Sequence, residues 1–288
     1  MRLKIFGYTE YLGWSFSRYQ MFDVCKRQYY YHYYGRQHDK ESAKIRNLRD
    51  LTSIPLQIGT MLHEGICTLL KRVRKDSSPV KKENVLEWLY KKSSQAVNNS
   101  KFLEQQYFHQ TVDVDDIWES VRQGMENFLE SERFKELHAE AASGKAKWLV
   151  EPKGFGEMRI GNLKAYCKAD FIQAVPEGYT IFDWKSGKQN VQRDSLQLTG
   201  YAHYVNYHFE EPIEEVSCVA AYVLPEYKEL LLESIDSQYF VELVAEQTNE
   251  MHAYCKDVEA NVPKNKEHFA CTDNEAICRH CNYQELCL

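Results

Sequence analysis

The sequence predicts an α/β fold in which a mixed central β-sheet is flanked by helices and carries a helical insertion. Residues from about 77 to 144 alternate charged and apolar positions at helical spacing. Short β-branched and aromatic runs separated by turn residues begin at Trp148, and a strand, helix, strand order follows them. With 288 residues, 43% of them hydrophobic, the chain is long enough for one sizeable core. We expect one decorated domain over residues 1–288.

Helices are predicted for most of the first half of the chain. Ser17 followed by Gln20 resembles a capping box that begins a helix, and the tyrosine-rich run after it ends at Gly35. After Gly59, apolar residues recur at helical spacing, so His63 lies on a helix beside an apolar stripe. The stripe consists of Leu62, Ile66, Leu69 and Val73.

The second half of the chain predicts the sheet. Gly161-Asn162 is a two-residue hairpin signal, and the turn residues 176–178 precede a strand over 179–185, which together predict three antiparallel strands. A helix over Val191–Phe209 leads to further strands around Pro225. A strand, crossover helix and strand in this order imply a mixed sheet. These last two strands are predicted over Val216–Leu224 and Lys228–Leu232, and Asp236 is expected to cap a helix running to about residue 260.

Composition narrows the class of protein. No run approaches the roughly 18 apolar residues that a membrane span needs, and no signal-like apolar run develops at the N-terminus, so we expect a soluble, cytoplasmic protein without a membrane partner. The net charge of -6 argues mildly against a nonspecific coat on nucleic acid, although a local basic groove is compatible with it. The nine cysteines indicate metal ligation and buried thiols more than a secreted disulfide framework.

Two aspartates and a lysine are predicted to meet on neighbouring strands. Asp170 lies near the end of one predicted strand, and Asp183-Trp184-Lys185 lies on the next, antiparallel one. Because side chains alternate across a strand, Asp183 and Lys185 share a face, and hairpin pairing brings Asp170 close to Asp183. Such oxygen ligands hold Mg²⁺ or Mn²⁺, which activates water for phosphodiester hydrolysis. For an isolated D-x-K pattern, an exposed strand with an ordinary salt bridge is the alternative.

Further polar residues support the functional interpretation of this pattern. Asp194, Gln197 and Tyr201 have spacings that place them on one face of the predicted crossover helix. His63 follows Gly59 by one helical turn, and the missing side chain of that glycine allows another backbone to approach closely. A histidine beside an apolar stripe is more often a packed residue than a ligand. The other polar groups make a ligand role the better hypothesis for His63.

Four short motifs follow one another along the chain. They are Gly59-Thr60-Met61-Leu62-His63, Asp170, Asp183-Trp184-Lys185 and Gln197-Leu198-Thr199-Gly200-Tyr201. This ordered set resembles the RecB-like branch of the PD-(D/E)XK nucleases, which implies a restriction-endonuclease-like fold. The resemblance implies that His63, Asp170, Asp183 and the backbone carbonyl of Trp184 bind the metal. It also implies that Lys185 is catalytic and that Gln197 and Tyr201 help to position the substrate strand.

Cysteines near the C-terminus form a second constellation. The spacing of three of them suits ligands of one metal ion or cluster, which needs a fourth donor. These three are Cys278, Cys281 and Cys287. By spacing alone, zinc and an iron-sulfur cluster fit equally well, and Cys271 is a candidate for the fourth ligand. The sequence around Cys25 resembles the N-terminal half of the iron-sulfur staple of AddB-type and CRISPR-adaptation nucleases. The resemblance implies a [4Fe-4S] cluster on these three cysteines and Cys25, joining residues 15–35 to 268–288, although Lys26 replaces the usual proline.

The resemblance implies a Mg²⁺- or Mn²⁺-dependent deoxyribonuclease, an exonuclease that acts on single-stranded DNA ends. The tyrosines near Cys25 and the basic residues from 44 to 49 are candidates for stacking on and guiding an unpaired strand. Aromatic packing is the alternative for the tyrosines. A DNA-end-binding adaptor subunit that serves a helicase or a CRISPR integrase complex is the rival function, and a zinc-stapled protein of unrelated activity is a third.

Overall fold

The structure is a computed structural model that describes residues 3–7 and 9–287. The chain divides into two compact units, each built from separated segments. The first unit comprises Met1–Leu51, Phe155–Cys167 and Asp236–Leu288, and the second comprises Thr52–Gly154 and Lys168–Ile235.

Helices and strands are numbered in chain order. The helices are α1 (Phe16–Val24), α2 (Lys26–Tyr33), α3 (Gly35–His38), α4 (Ser42–Arg49), α5 (Ile54–Lys75), α6 (Lys82–Asn99), α7 (Leu103–Phe108), α8 (Asp115–Glu130), α9 (Glu132–Ala142), α10 (Val191–Phe209), α11 (Ser237–His252) and α12 (Glu275–Arg279). The strands are β1 (Leu51–Thr52), β2 (Lys101–Phe102), β3 (Trp148–Val150), β4 (Glu157–Ile160), β5 (Leu163–Tyr166), β6 (Phe171–Val175), β7 (Gly178–Lys185), β8 (Val216–Tyr222), β9 (Lys228–Leu232), β10 (Cys255–Asp257) and β11 (Val262–Pro263). None of the helices in the described ranges combines the length and apolarity needed to cross a bilayer.

A five-stranded mixed sheet forms the centre of the second unit. Its strands lie in the order β3-β6-β7-β8-β9. The pair β7–β8 is parallel and the other pairs are antiparallel. The parallel pair is joined by α10, because parallel neighbours need a crossover connection. This arrangement confirms the predicted mixed sheet and its crossover helix.

Helices cover both faces of this sheet. Phe182 and Trp184 point from β7 into a large apolar cluster that also contains buried residues of α5, α8 and α9. On the opposite face α10 packs against β8, where the Cys218 thiol donates to the carbonyl of Leu198. Alternation along β7 therefore places Asp183 on the face toward α10. Residues 77–144 contain four helices and β2, and much of the apolar cluster comes from them.

The strands before Asp183 differ from the prediction of three antiparallel strands. The hairpin β4–β5 forms around Gly161-Asn162 as predicted, but it is a separate two-stranded sheet in the first unit. A distinct strand, β6, begins directly after Asp170, so this aspartate precedes a strand instead of lying near the end of the hairpin. The segment Cys167-Lys168-Ala169-Asp170 has no regular secondary structure and separates β5 from β6.

An aromatic core holds the first unit together. The ring of Phe269 lies 5.0 Å from those of both Tyr30 and Tyr254. Trp14 packs edge-on against Phe240, and its indole N–H donates to Gln247 at 2.8 Å. Large rings supply most of the buried area that a unit of this size needs.

Two helix boundaries differ from the prediction. Ser15, and not Ser17, is the N-cap of α1, because the Ser15 hydroxyl accepts from the backbone N–H of Arg18. Asp236 caps α11 as predicted, through the backbone N–H of Tyr239. That helix ends at His252, eight residues before the predicted end near 260, because the following residues form the pair β10–β11.

Gly178 has a backbone that L-residues rarely adopt, and we predict that it is essential for the turn between β6 and β7. Its φ is +125°, and an added Cβ would lie 2.2 Å from the carbonyl oxygen of Glu215. Gly178→Ala should therefore lower the free energy of unfolding by about 3 kcal/mol. Gly144→Ala is the matched control, because Gly144 has a φ of +71° with no atom near the added Cβ. It should lose only about 1 kcal/mol. Equal losses in urea unfolding would contradict the role of the Glu215 contact.

Candidate functional site

The predicted acidic residues meet at one edge of the central sheet, within the second unit. Asp170 immediately precedes β6, and Asp183 lies near the end of β7, with Phe171 opposite Phe182 in the antiparallel pair. One Asp170 carboxylate oxygen accepts from the backbone N–H of Trp184 at 3.0 Å. Strand pairing therefore fixes Asp170 against the segment that carries Asp183 and Lys185.

His63 joins the aspartates from helix α5. Its Nε2 atom lies 2.8 Å from Asp170 Oδ1. This hydrogen bond is the largest cause of a raised His63 pKa, which reaches about 11. The Cys67 sulfur, one helical turn further on, lies 3.8 Å from the same Nε2. The imidazole is thus directed at the first of the two carboxylates.

Asp183 is the most deeply buried member of this group, at 4% exposure. Burial, followed by the charge of Asp170, raises its pKa to about 7. Its buried Oδ2 atom is paired with the Lys185 ammonium. A buried carboxylate beside a second carboxylate and an imidazole is a donor set that fits a divalent cation.

Helix α10 supplies the groups that hold the lysine. The Lys185 ammonium donates to Gln197 Oε1 at 2.7 Å, and the Gln197 amide donates to the Tyr201 hydroxyl at 2.7 Å. Asp194 lies 3.6 Å from the same ammonium and accepts from the hydroxyl of Tyr222, on β8. The predicted polar face of α10 therefore contacts Lys185, whereas Tyr222 was not anticipated from the sequence.

Gly59 allows the histidine helix to lie close to the strand ends. A Cβ at this position would come within 3.0 Å of the hydroxyl oxygen of Ser186, the residue that follows Lys185. The Ser186 hydroxyl would have to turn aside to accommodate a side chain here. The neighbour of Gly59 is therefore a side-chain oxygen, whereas the sequence predicted the close approach of another backbone.

Two charged residues beside His63 were missed by the sequence reasoning. Glu151 follows β3, and its Oε1 atom lies 3.8 Å from His63 Nδ1. Its other carboxylate oxygen is paired with Lys71, two helical turns after His63. Burial favours the neutral acid, but the hydrogen bond and the charge of Lys71, with the charges of His63 and Lys168, together outweigh it, and the Glu151 pKa is lowered. The position of Glu151 directly after a strand that neighbours Asp170 was the available signal.

A polar cleft of about 460 Å³ adjoins the lysine end of the site. The four residues after Lys185 line one side of it, and Tyr222 and Lys228 are also part of the lining. Lys188 and Lys228 are exposed, and neither forms an ion pair with another described residue. One carboxylate, that of Glu226, lies in the same wall. The cleft therefore offers two ammonium groups to an anionic ligand.

The first unit brings five cysteines together around one cavity of about 280 Å³. They are Cys25, Cys271, Cys278, Cys281 and Cys287. All five are free thiols. Burial raises the pKa of Cys281 to about 11, and the thiols of Cys25, Cys278 and Cys271 add to this shift. A group of sulfur donors from two distant segments fits a metal or an iron-sulfur cluster.

Both candidates for the fourth ligand thus lie at the cavity. Cys25 is the N-cap of α2, where its sulfur accepts from the backbone N–H of Gln28 at 3.5 Å. Cys271 interacts with Cys287, whose pKa is raised first by burial and then by the Cys271 thiol. The remaining cysteines, Cys67, Cys167, Cys218 and Cys255, are buried, as expected for packed thiols.

The tyrosines near Cys25 do not form a stacking surface. Tyr29, Tyr30, Tyr31 and Tyr34 are all at most 3% exposed. Tyr31 packs against Tyr283, and its hydroxyl donates to the carbonyl of Leu286 at 3.2 Å. The suggestion that these four rings stack on unpaired bases was wrong, and aromatic packing accounts for them.

A family model and a solved structure are similar to this chain. The family model described as the PD-(D/E)XK nuclease superfamily matches residues 13–288. Among solved structures, the chain is similar to one described as the crystal structure of SSO0001, with 16% identity and a TM-score of 0.31. That match covers 76% of this chain and 94% of the other. No curated protein matches the sequence.

Proposed function

Because the chain belongs to the PD-(D/E)XK nuclease superfamily, whose members are nucleases that use divalent metals such as Mg²⁺ or Mn²⁺, we propose that it is a deoxyribonuclease acting at single-stranded ends. One observation carries the placement of the active site. The carboxylate of Asp183 is buried beside that of Asp170, whose Oδ1 atom lies 2.8 Å from His63 Nε2, and burial followed by the charge of Asp170 raises the Asp183 pKa to about 7. A divalent cation would neutralise the charge that makes this burial unfavourable.

The proposed metal ligands are His63, Asp170, Asp183 and the backbone carbonyl of Trp184. When bound, a divalent cation supplies Lewis-acid activation of water and screens the charge of the phosphodiester. Asp170 is held for this role by the Trp184 N–H, and Asp183 by the pairing of β7 with β8, in which it lies opposite Ala220. Deprotonated carboxylates are required for ligation, and so the binding of a cation would favour the charged form of Asp183.

Lys185 is proposed to act on the reacting phosphate. Gln197 and Tyr201 hold its ammonium through two consecutive hydrogen bonds of 2.7 Å. An ammonium fixed in a partly buried site donates hydrogen bonds to the nucleophile or to the charge developing on the phosphate oxygens. In the substrate complex, Gln197 and Tyr201 are free to exchange part of this contact for contacts with the DNA strand.

The cleft beyond Lys185 is proposed as the path of the DNA strand. Its lining begins at Ser186, and the ammonium groups of Lys188 and Lys228 suit phosphate oxygens. The cleft has a volume of about 460 Å³ and is open to solvent.

A [4Fe-4S] cluster is proposed for the cysteine cavity, on Cys25, Cys278, Cys281 and Cys287. These thiols come from α2 and from the C-terminal segment. A cluster bound only in the folded state would add its binding free energy to the stability of the first unit. Its proposed role is therefore structural.

We predict that Asp183→Ala and Lys185→Ala each reduce cleavage of end-labelled single-stranded DNA in Mn²⁺ by about a hundredfold or more. Asp183→Ala should not unfold the protein, since burial disfavours the charge that this change removes. Lys91→Ala is the matched control, because Lys91 is an exposed lysine paired with Glu87 on α6, outside the site. Full activity in either site variant, at unchanged circular dichroism, would remove the proposed mechanism.

We predict that linear single-stranded DNA is degraded to short products, whereas circular single-stranded DNA of the same sequence persists. An enzyme that needs an end has no point of entry on a circle. Gel analysis of a time course, with EDTA as the metal-free control, measures the difference. Digestion of the circle at the rate of the linear strand would show endonuclease action instead.

We predict that anaerobically purified protein is brown and contains iron and acid-labile sulfide. Cys25→Ser should abolish the visible absorbance and Cys271→Ser should preserve it, because Cys25 is the proposed fourth ligand. Metal analysis accompanies the spectra. Colour retained in Cys25→Ser and lost in Cys271→Ser would reverse the assignment, and zinc without iron would replace the cluster by a zinc site.

A further inference from the structure

Glu151 has an unusual backbone for a glutamate. Its φ is +46°, in the left-handed region, although the residue is not glycine. Its N–H donates to the backbone carbonyl of Asp170 at 2.8 Å. A left-handed conformation is unfavourable for a residue that has a side chain, and such strain persists where the surrounding structure enforces it. The backbone of Glu151 is therefore anchored to the residue proposed as a metal ligand.

The side chain of Glu151 approaches the back of the histidine. Its Oε1 atom lies 3.8 Å from His63 Nδ1, while His63 Nε2 lies 2.8 Å from Asp170 Oδ1. The two ring nitrogens therefore face two different carboxylates. The side chains of Glu151 and His63 are 27% and 33% exposed, so water screens this contact only partly.

Lys71 orients the carboxylate of Glu151. It pairs with Oε2, and so Oε1 remains directed toward the imidazole. Both Lys71 and His63 are on α5, two turns apart, and the carboxylate lies between them. Arg74, on the same helix, donates to the carbonyl of Trp148 at 2.7 Å and ties β3 to α5. The approach of Glu151 to His63 thus follows from several independent contacts.

A neutral imidazole carries one N–H donor and one lone pair, and a metal needs the lone pair. A carboxylate that accepts from one ring nitrogen selects the tautomer in which the other nitrogen is free to ligate. In the metal-free arrangement, Asp170 occupies Nε2 as a hydrogen-bond partner. Release of that proton to make room for a cation leaves Nδ1–H as the remaining donor, and Glu151 is the carboxylate positioned to accept it.

We propose that Glu151 is a positioning residue that fixes His63 with the proton on Nδ1 and the lone pair of Nε2 directed at the divalent cation. This inference rests on the proposed metal site. Glu151 acts through His63 and is not itself a ligand in this arrangement. It would raise the basicity of the imidazole and restrain its ring, as carboxylates behind metal-bound histidines do.

The test combines metal affinity with a direct measurement of the tautomer. Glu151→Asn suits the left-handed backbone but is too short to reach His63, and should weaken Mn²⁺ binding about tenfold or more in calorimetry. Glu151→Gln keeps the reach and a neutral acceptor, and should lose less. Glu210→Asn is the matched control, because Glu210 is an exposed glutamate that also has a left-handed backbone, at the C-cap of α10, and this variant should stay within about threefold of wild type.

The nitrogen-15 spectrum of the Mg²⁺-bound protein reports the imidazole directly. We expect His63 to carry its proton on Nδ1 in the wild type and in Glu210→Asn, and a mixture of tautomers in Glu151→Asn. Unchanged Mn²⁺ affinity and an unchanged tautomer in Glu151→Asn would overturn the inference while leaving the metal site intact. A proton on Nε2 in the wild type would also overturn it, since the ligating nitrogen would then face Glu151. Failure of the wild type to bind Mn²⁺ would refute the metal site itself.

Discussion

The geometry of the candidate site depends on the burial of Asp183 beside a second carboxylate. This charge is unfavourable without a counter-charge, as its pKa of about 7 indicates. The surrounding contacts compensate in part: Lys185 approaches from the same strand, and Asp170 is turned toward the Trp184 N–H and His63. A divalent cation would complete the compensation. The pairing of the sheet and the apolar cluster behind Trp184 stabilise the fold and offset the unfavourable assembly of the acidic residues.

The cysteine cavity in the first unit likewise buries groups that must be charged in order to bind a metal. Five thiols converge there, and burial keeps at least Cys281 and Cys287 protonated in the absence of a bound group. Ligation requires thiolates, so binding of a cluster or metal would release protons. Both proposed cofactor sites are therefore places where the folded chain accepts an electrostatic penalty that a bound cation relieves.

Much of the fold and of the candidate site could be predicted from the sequence, because these parts depend on local sequence patterns. The spacing of Asp183 and Lys185, the polar face of α10 and the hairpin at Gly161 follow from side-chain periodicity and turn chemistry. The separate strand β6 could not be distinguished from the hairpin, since the break at residues 167–170 contains no proline or glycine. Glu151 was missed for another reason. Its contacts with His63 and Lys71 join residues 80 or more positions apart, and no periodic pattern encodes them.

The tyrosine run shows the limit of composition as a guide. A dense aromatic segment has the same sequence whether it packs or stacks on a ligand, and only the burial of four of its rings decides between these.

The division of the chain has a consequence for its modularity. The polypeptide passes from one unit to the other at 51/52, 154/155, 167/168 and 235/236. The first unit is thus assembled from both terminal arms and an internal hairpin, and the second from two inner stretches. Neither unit is formed by one continuous segment of the chain. Removal of the C-terminal segment would leave the β4–β5 hairpin without the rest of its unit. An insertion or a recombination event at one of these four crossings would therefore disturb both units. We expect the two units to be inherited together.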